Sequence, residues 1–67
     1  MNYLENRFTY HAPKEGQPQK YTEIRHSGKS FAETIDALCP DSREKALAIT
    51  KLEEAVMWAI AAIARNE

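Results

Sequence analysis

Residues 55–64 read AVMWAIAAIA, ten positions without one polar side chain. A membrane-crossing helix needs roughly 20 apolar residues, so this run has about half the required length. As a helix it is apolar around its whole circumference, whereas a surface helix carries only one apolar stripe. One neighbouring helix cannot cover it. The chain has 67 residues and is expected to form a single domain. Domains of this size bury only about 60% of their unfolded surface. The lone cysteine, Cys39, cannot form an intrachain disulfide, and no CxxC or Cys/His cluster offers zinc ligation. No metal or cofactor is expected. Self-association is then the expected source of further burial.

The rest of the chain divides around one break. Residues 1–16 form a mixed, aromatic-rich arm with Tyr3, Phe8, Tyr10 and His11 in quick succession. Pro13 and Gly16 argue against one long helix there, although NYLENRF can hold a short helical turn. From Pro18 the pattern is helical, since a proline in the first turn lacks only an N–H that would be unpaired anyway. Tyr21, Ile24, Gly28, Phe31, Ile35 and Leu38 follow in steps of 3, 4, 3, 4 and 3, a seam like that of a coiled coil. Gly28 inside that helix marks either a close backbone approach or a chance glycine.

In CPDSRE, Pro40 disfavours helical geometry at Cys39, and Asp41 with Glu44 offers a capping-box-like restart. The expected fold is all-α: an arm (1–16), helix one (17–38) and helix two (42–65), the helices forming an antiparallel hairpin of roughly 31 and 36 Å. On helix two, Ile49, Val56, Ile60 and Ile63 form one apolar stripe and the alanines a second, with Met57 and Trp58 elsewhere on the circumference. Val56, Met57, Trp58, Ile60 and Ile63 are therefore the expected subunit-packing residues of a homo-oligomer.

Charge excludes several classes of function. Basic and acidic groups number two and two in residues 1–16, three and three in 17–38, and four and five in 41–67. No broad positive field of the kind that binds DNA or RNA is present. The opening MNYLENRFTY has no apolar core behind a basic start, so no secretory signal is expected. One cysteine suits a reducing cytosol. No catalytic residue is expected: Ser27, Ser30 and Ser42 lie in no nucleophile elbow, and there is no glycine-rich phosphate loop. Glu33 and Asp36 read as solvated surface, and Cys39 as a small packing residue.

Binding signals are better. Tyr21, Arg25 and Lys29 fall at i, i+4 and i+8, and an anion between the two cations relieves their repulsion. An ordinary surface with Lys29 paired to Glu33 fits the same pattern. Phe8, Tyr10 and His11 offer flat faces for nucleobases, worth roughly 1–3 kcal/mol per stacked base. With Lys20, Arg25 and Lys29 they make a base-plus-phosphate recipe suited to a small enclosed nucleotide. Arg43, in the first turn of helix two, can present a guanidinium beside free N–H groups, or serve as an exposed loop-flanking charge.

RFTYHAPKEGQPQKYTEIR, LCPDSREKALAITKLEEAVMWA and AIARN together resemble small phage proteins built on a helical hairpin domain, the anti-CBASS cyclic-oligonucleotide sponges, a hairpin shared with anti-Thoeris sponges. The likeness runs from about Arg7 to Asn66, and FTYH, CPDSRE and LEEAVMW are its most specific pieces. It implies a homohexamer in the cytoplasm of an infected bacterium that holds cyclic nucleotide messengers without cleaving them. By position, Tyr10 and Arg25 are the implied cyclic-dinucleotide contacts, with His11, Lys29 and Phe8 as further candidates. For cyclic trinucleotides the candidates are Ser42, Arg43 and, more weakly, Arg65. Ile60 stands where the family resemblance leads one to expect a polar asparagine. The competing reading is an oligomeric helical scaffold, or a protein-interaction module with no nucleotide ligand.

Overall fold

The computed structural model describes residues 3–67 and holds three helices: α1 (Tyr3–Phe8), α2 (Gln17–Leu38) and α3 (Arg43–Asn66). The first two positions of the expected arm lie outside the described residues. No strand occurs among the described residues, in agreement with the all-α expectation. The short helix α1 covers YLENRF, and α2 runs from Gln17 to Leu38.

Each helix boundary has a local cause. Gly16 precedes α2 at φ 84°, in the left-handed region that glycine enters without penalty. A Cβ placed there meets no atom within 4 Å, so the backbone angle alone asks for glycine. At the other end Cys39 is extended, φ −101° and ψ 137°, as its position before Pro40 demands. Its N–H still reaches the Ile35 carbonyl, closing the last turn.

The start of α3 corrects one expectation. The cap is Ser42 rather than Asp41: the Ser42 hydroxyl accepts the Lys45 N–H at 3.0 Å, and helical geometry begins at Arg43. The third helical residue is then Lys45 instead of Glu44, so no capping box forms. Asp41 instead pairs with Lys45, whose ammonium also reaches the Asp36 carboxylate, both at 3.1 Å. The hydrogen bond to Asp36, then that to Asp41, raises the Lys45 pKa above the usual lysine value.

α2 and α3 lie side by side in opposite directions. Lys45 meets Asp36 at one end, Val56 faces Gly28 in the middle, and Gln17 reaches the Ile63 carbonyl at the other. The half-buried positions on α2 are Tyr21, Ile24, Gly28, Ala32 and Ile35. Phe31 and Leu38, expected in the seam, are 57% and 79% exposed. A helix that keeps 3.6 residues per turn drifts away from a strict 3.5-residue seam, so the contact face passes from Gly28 to Ala32. On α3 the stripe of Ile49, Val56, Ile60 and Ile63 is half-buried, joined by Leu52.

The described residues measure 45 × 25 × 12 Å, and the smallest dimension is about the thickness of one helix. A single layer cannot enclose a side chain from both faces. No apolar residue is fully buried among those described, and Trp58 and Met57 are 64% and 61% exposed.

A close approach lies at Gly28, where an added Cβ falls 2.5 Å from a Val56 methyl. Valine has one strongly preferred rotamer in a helix and cannot swing clear. Gly28→Ala is expected to lower stability by about 1–2 kcal/mol, although alanine is the better helix former by about 1 kcal/mol. Thermal unfolding checks this, and adding Val56→Ala should recover most of the loss.

Candidate ligand-binding groove

Beyond α1 the chain is held by a few hydrogen bonds. The Thr9 N–H donates to the Glu5 carbonyl, and His11 Nε2 lies 2.7 Å from the Asn6 carbonyl. A carbonyl only accepts, so Nε2 carries the hydrogen, and in the neutral ring Nδ1 is left as an acceptor. Further on, the Gln17 side chain gathers the junction. Its Oε1 accepts the Lys14 N–H at 2.9 Å and the Tyr21 hydroxyl at 3.3 Å. Its Nε2 donates to the Ile63 carbonyl at 3.3 Å and lies 3.5 Å from Glu67 Oε1. Lys20 pairs with the Glu67 carboxylate at 2.7 Å, and the Lys14 ammonium donates to the Glu67 main-chain oxygen.

These contacts set the arm beside a groove of about 770 Å³ between α2 and α3. Such a volume lies within the range of about 300–1,000 Å³ usual for small-molecule sites. Its floor is apolar: Ile49, Leu52, Val56, Met57 and Ile60 from α3, with Gly28 and Ala32 from α2. Gly28, having no side chain, lets a Val56 methyl lie where a Cβ would stand. Around the rim stand Tyr10 and His11 from the arm, Arg25 and Lys29 from α2, and Arg7 and Arg65. Glu53 is the one carboxylate lining the groove among the described residues, against four basic side chains. A chain with formal net charge −1 thus presents a locally positive groove. None of those four cations is engaged in an ion pair among the described residues, and Lys29 does not pair with Glu33.

The structure brings Tyr10, His11, Arg25 and Lys29 to one rim and adds Arg65 to them. Phe8, 83% exposed, does not line the groove. Ser42 and Arg43 sit at the opposite end of α3 from Arg65, so one copy of the chain does not join these three. Ser42 spends its hydroxyl on the cap. Val56, Met57 and Ile60, expected in subunit packing, form the floor, whereas Trp58 lies outside it. Sequence reasoning missed Arg7 and Glu53. Arg7 stands next to Phe8 in RFTYH, and only the helical turn of α1 sets it near Tyr10; Glu53 reads as ordinary helix surface until α2 is placed alongside.

These features define a class, a small all-helical protein whose two long helices share an open groove capped by an arm. A family model described as Acb2/Tad1, hairpin domain, matches residues 2–64. The chain therefore belongs to the Acb2/Tad1 hairpin-domain family, the family of anti-CBASS and anti-Thoeris sponges. No curated protein and no solved structure matches it. No helix among the described residues is long and apolar enough to cross a membrane.

The latch at the arm junction has a pH signature. The hydrogen bond from Lys20 lowers the Glu67 pKa most; partial burial opposes this, and the Gln17 amide adds to the lowering. A carboxylate with a depressed folded pKa contributes stability that is complete above its unfolded value. That contribution is lost as the pH falls through the folded value. Glu67→Gln should therefore lower the melting temperature slightly at neutral pH and flatten its fall on acidification. Thermal unfolding from about pH 7 down to about pH 3 reads both effects.

Proposed function

We propose that this chain is a phage anti-defence protein that binds and sequesters cyclic oligonucleotide second messengers without cleaving them, blocking CBASS immunity in the cytoplasm of the infected bacterium. The observation that carries this reading is the groove itself: an apolar floor, an aromatic arm and four cations that form no ion pair among the described residues, all around one small space. Nucleobases are apolar on their faces and stack on aromatic rings, while phosphates seek guanidinium and ammonium groups. Tyr10 supplies the stacking face and Arg25 the main phosphate contact, with His11, Lys29 and Arg65 beside them. Tight capture without turnover requires many modest contacts and no group aligned to attack, which agrees with a family of sponges.

One copy leaves the groove open, because the molecule is one helix thick. A second copy laid on the exposed Met57 and Trp58 surface closes the layer and buries apolar area that a solitary chain leaves wet. The assembly is a homo-oligomer, most simply a hexamer, with cyclic dinucleotides such as cyclic GMP-AMP held where protomers meet. Ser42 and Arg43, remote from the groove in one copy, form a second pocket for cyclic trinucleotides only where copies come together. DNA and RNA polymers are not the ligand, since nine basic side chains are offset by ten acidic ones and leave no broad positive field.

A capture-and-release assay tests the reading. The protein is incubated with cyclic di- and trinucleotides, filtered and denatured, and released species are identified chromatographically. Intact ligand recovered from the denatured protein is the expected result. Every ligand remaining in the filtrate would favour a scaffold, and a chemically altered ligand an enzyme. Tyr10→Ala and Arg25→Ala should each weaken dinucleotide binding by about 1–3 kcal/mol while leaving the assembly intact. Trp58→Glu should instead shift the chain to smaller species, read by light scattering after gel filtration.

A further inference from the structure

Gln17 is the one buried residue among those described, at 3% exposure, and it is polar. An amide side chain has two N–H donors and an oxygen with two lone pairs. Here the oxygen takes both of its bonds, from Lys14 and Tyr21, and the nitrogen faces Ile63 and Glu67. One side chain thus ties the arm to α2 and both to the far end of α3, a separation of 46 residues in the case of Ile63.

We infer that Gln17 is a positioning residue for the groove, holding the arm so that Tyr10 and His11 stay at its rim; the ligand side of this inference rests on the nucleotide reading above. Apolar burial does not hold the arm, because Tyr10 is 83% exposed. Hydrogen bonds do. The Lys14–Gln17 turn is bonded in both directions: Lys14 N–H to Gln17 Oε1, and Gln17 N–H to the Lys14 carbonyl at 3.0 Å. Only Ala12 and Pro13 separate this anchor from His11, and Pro13 has its φ fixed by its ring. His11 is anchored in turn to the Asn6 carbonyl. The His11–Asn6 bond folds the arm on itself, so the rim segment is tied to the helix pair at Lys14, with few free torsions between, and loosening Gln17 weakens that tie.

The test is a double-mutant cycle with a readout of the arm itself. Wild type, Gln17→Ala, Tyr10→Ala and the double variant are titrated with cyclic GMP-AMP, and trypsin cleavage after Arg7 and Lys14 is followed by mass. Gln17→Ala is expected to weaken binding about tenfold, to add little in the Tyr10→Ala background, and to speed arm cleavage with helicity retained. Undiminished affinity, or an equal loss in both backgrounds, would overturn the inference, because general damage does not act through Tyr10. Should Gln17→Ala fail to fold, Gln17→Glu keeps the side-chain length and the acceptor oxygen but loses the Nε2 donor. It is expected to show a smaller loss of about threefold by the same route, and wild-type affinity in that variant would count against the inference. If wild type holds no cyclic GMP-AMP, cyclic-dinucleotide capture fails, and cleavage alone decides whether Gln17 holds the arm: faster cleavage upholds that, unchanged cleavage overturns it.

Discussion

The contact between Gly28 and Val56 governs how closely the two long helices approach. A valine methyl occupies the space that any side chain at position 28 would need, so α3 lies against the α2 backbone there. Ile24, Ala32 and Ile35 of α2, with Ile49, Leu52 and Ile60 of α3, arrange themselves on either side of that point. The close packing this glycine allows outweighs its lower helix propensity.

The thin layer built on this contact explains the distribution of apolar surface. Two helices side by side can half-cover one stripe on each other, and the remainder of a uniformly apolar helix stays exposed. Met57 and Trp58 remain in water for that reason, not because the helices are badly matched. Within the proposed assembly the incomplete burial and the open groove have one remedy, a second copy laid across the layer. Ligand capture and self-association are then features of a single surface, with the phosphate-seeking charges at its edge.

Polar contacts carry more of the architecture than a chain with 43% hydrophobic residues suggests. Ser42 starts α3, Lys45 ties it to the end of α2, and Gln17 with Glu67 joins the arm to the far ends of both helices. Each lies at an end of a long helix, where unpaired backbone groups and chain reversals leave hydrogen bonds to be made. The middle of the pair is apolar and close; its ends are polar and directional.

Much of this was legible from the residues. Pro18 and Pro40 bracket the first long helix, the apolar period marks α2 and α3, and the short CPDSRE break implies that they turn back on each other. Local stereochemistry dictates those features, so a sequence alone determines them. The cap fell to Ser42 instead of Asp41 because the choice between adjacent capping residues depends on the backbone path out of Pro40. Phe31 left the seam because a 3.6-residue helix drifts from a 3.5-residue pattern, which only the crossing at Gly28 brings to light. The gathering of Arg7, Arg65 and Glu53 around Tyr10 and Arg25 was beyond any local rule, since these residues come from the arm, α2 and both halves of α3. Nor does any period or spacing announce that Gln17 is buried. The sequence determined which segments are helical and which chemical groups are available; the tertiary structure decided which of them meet, because proximity across a helix pair depends on the approach at Gly28, and no neighbouring residue along the chain encodes it.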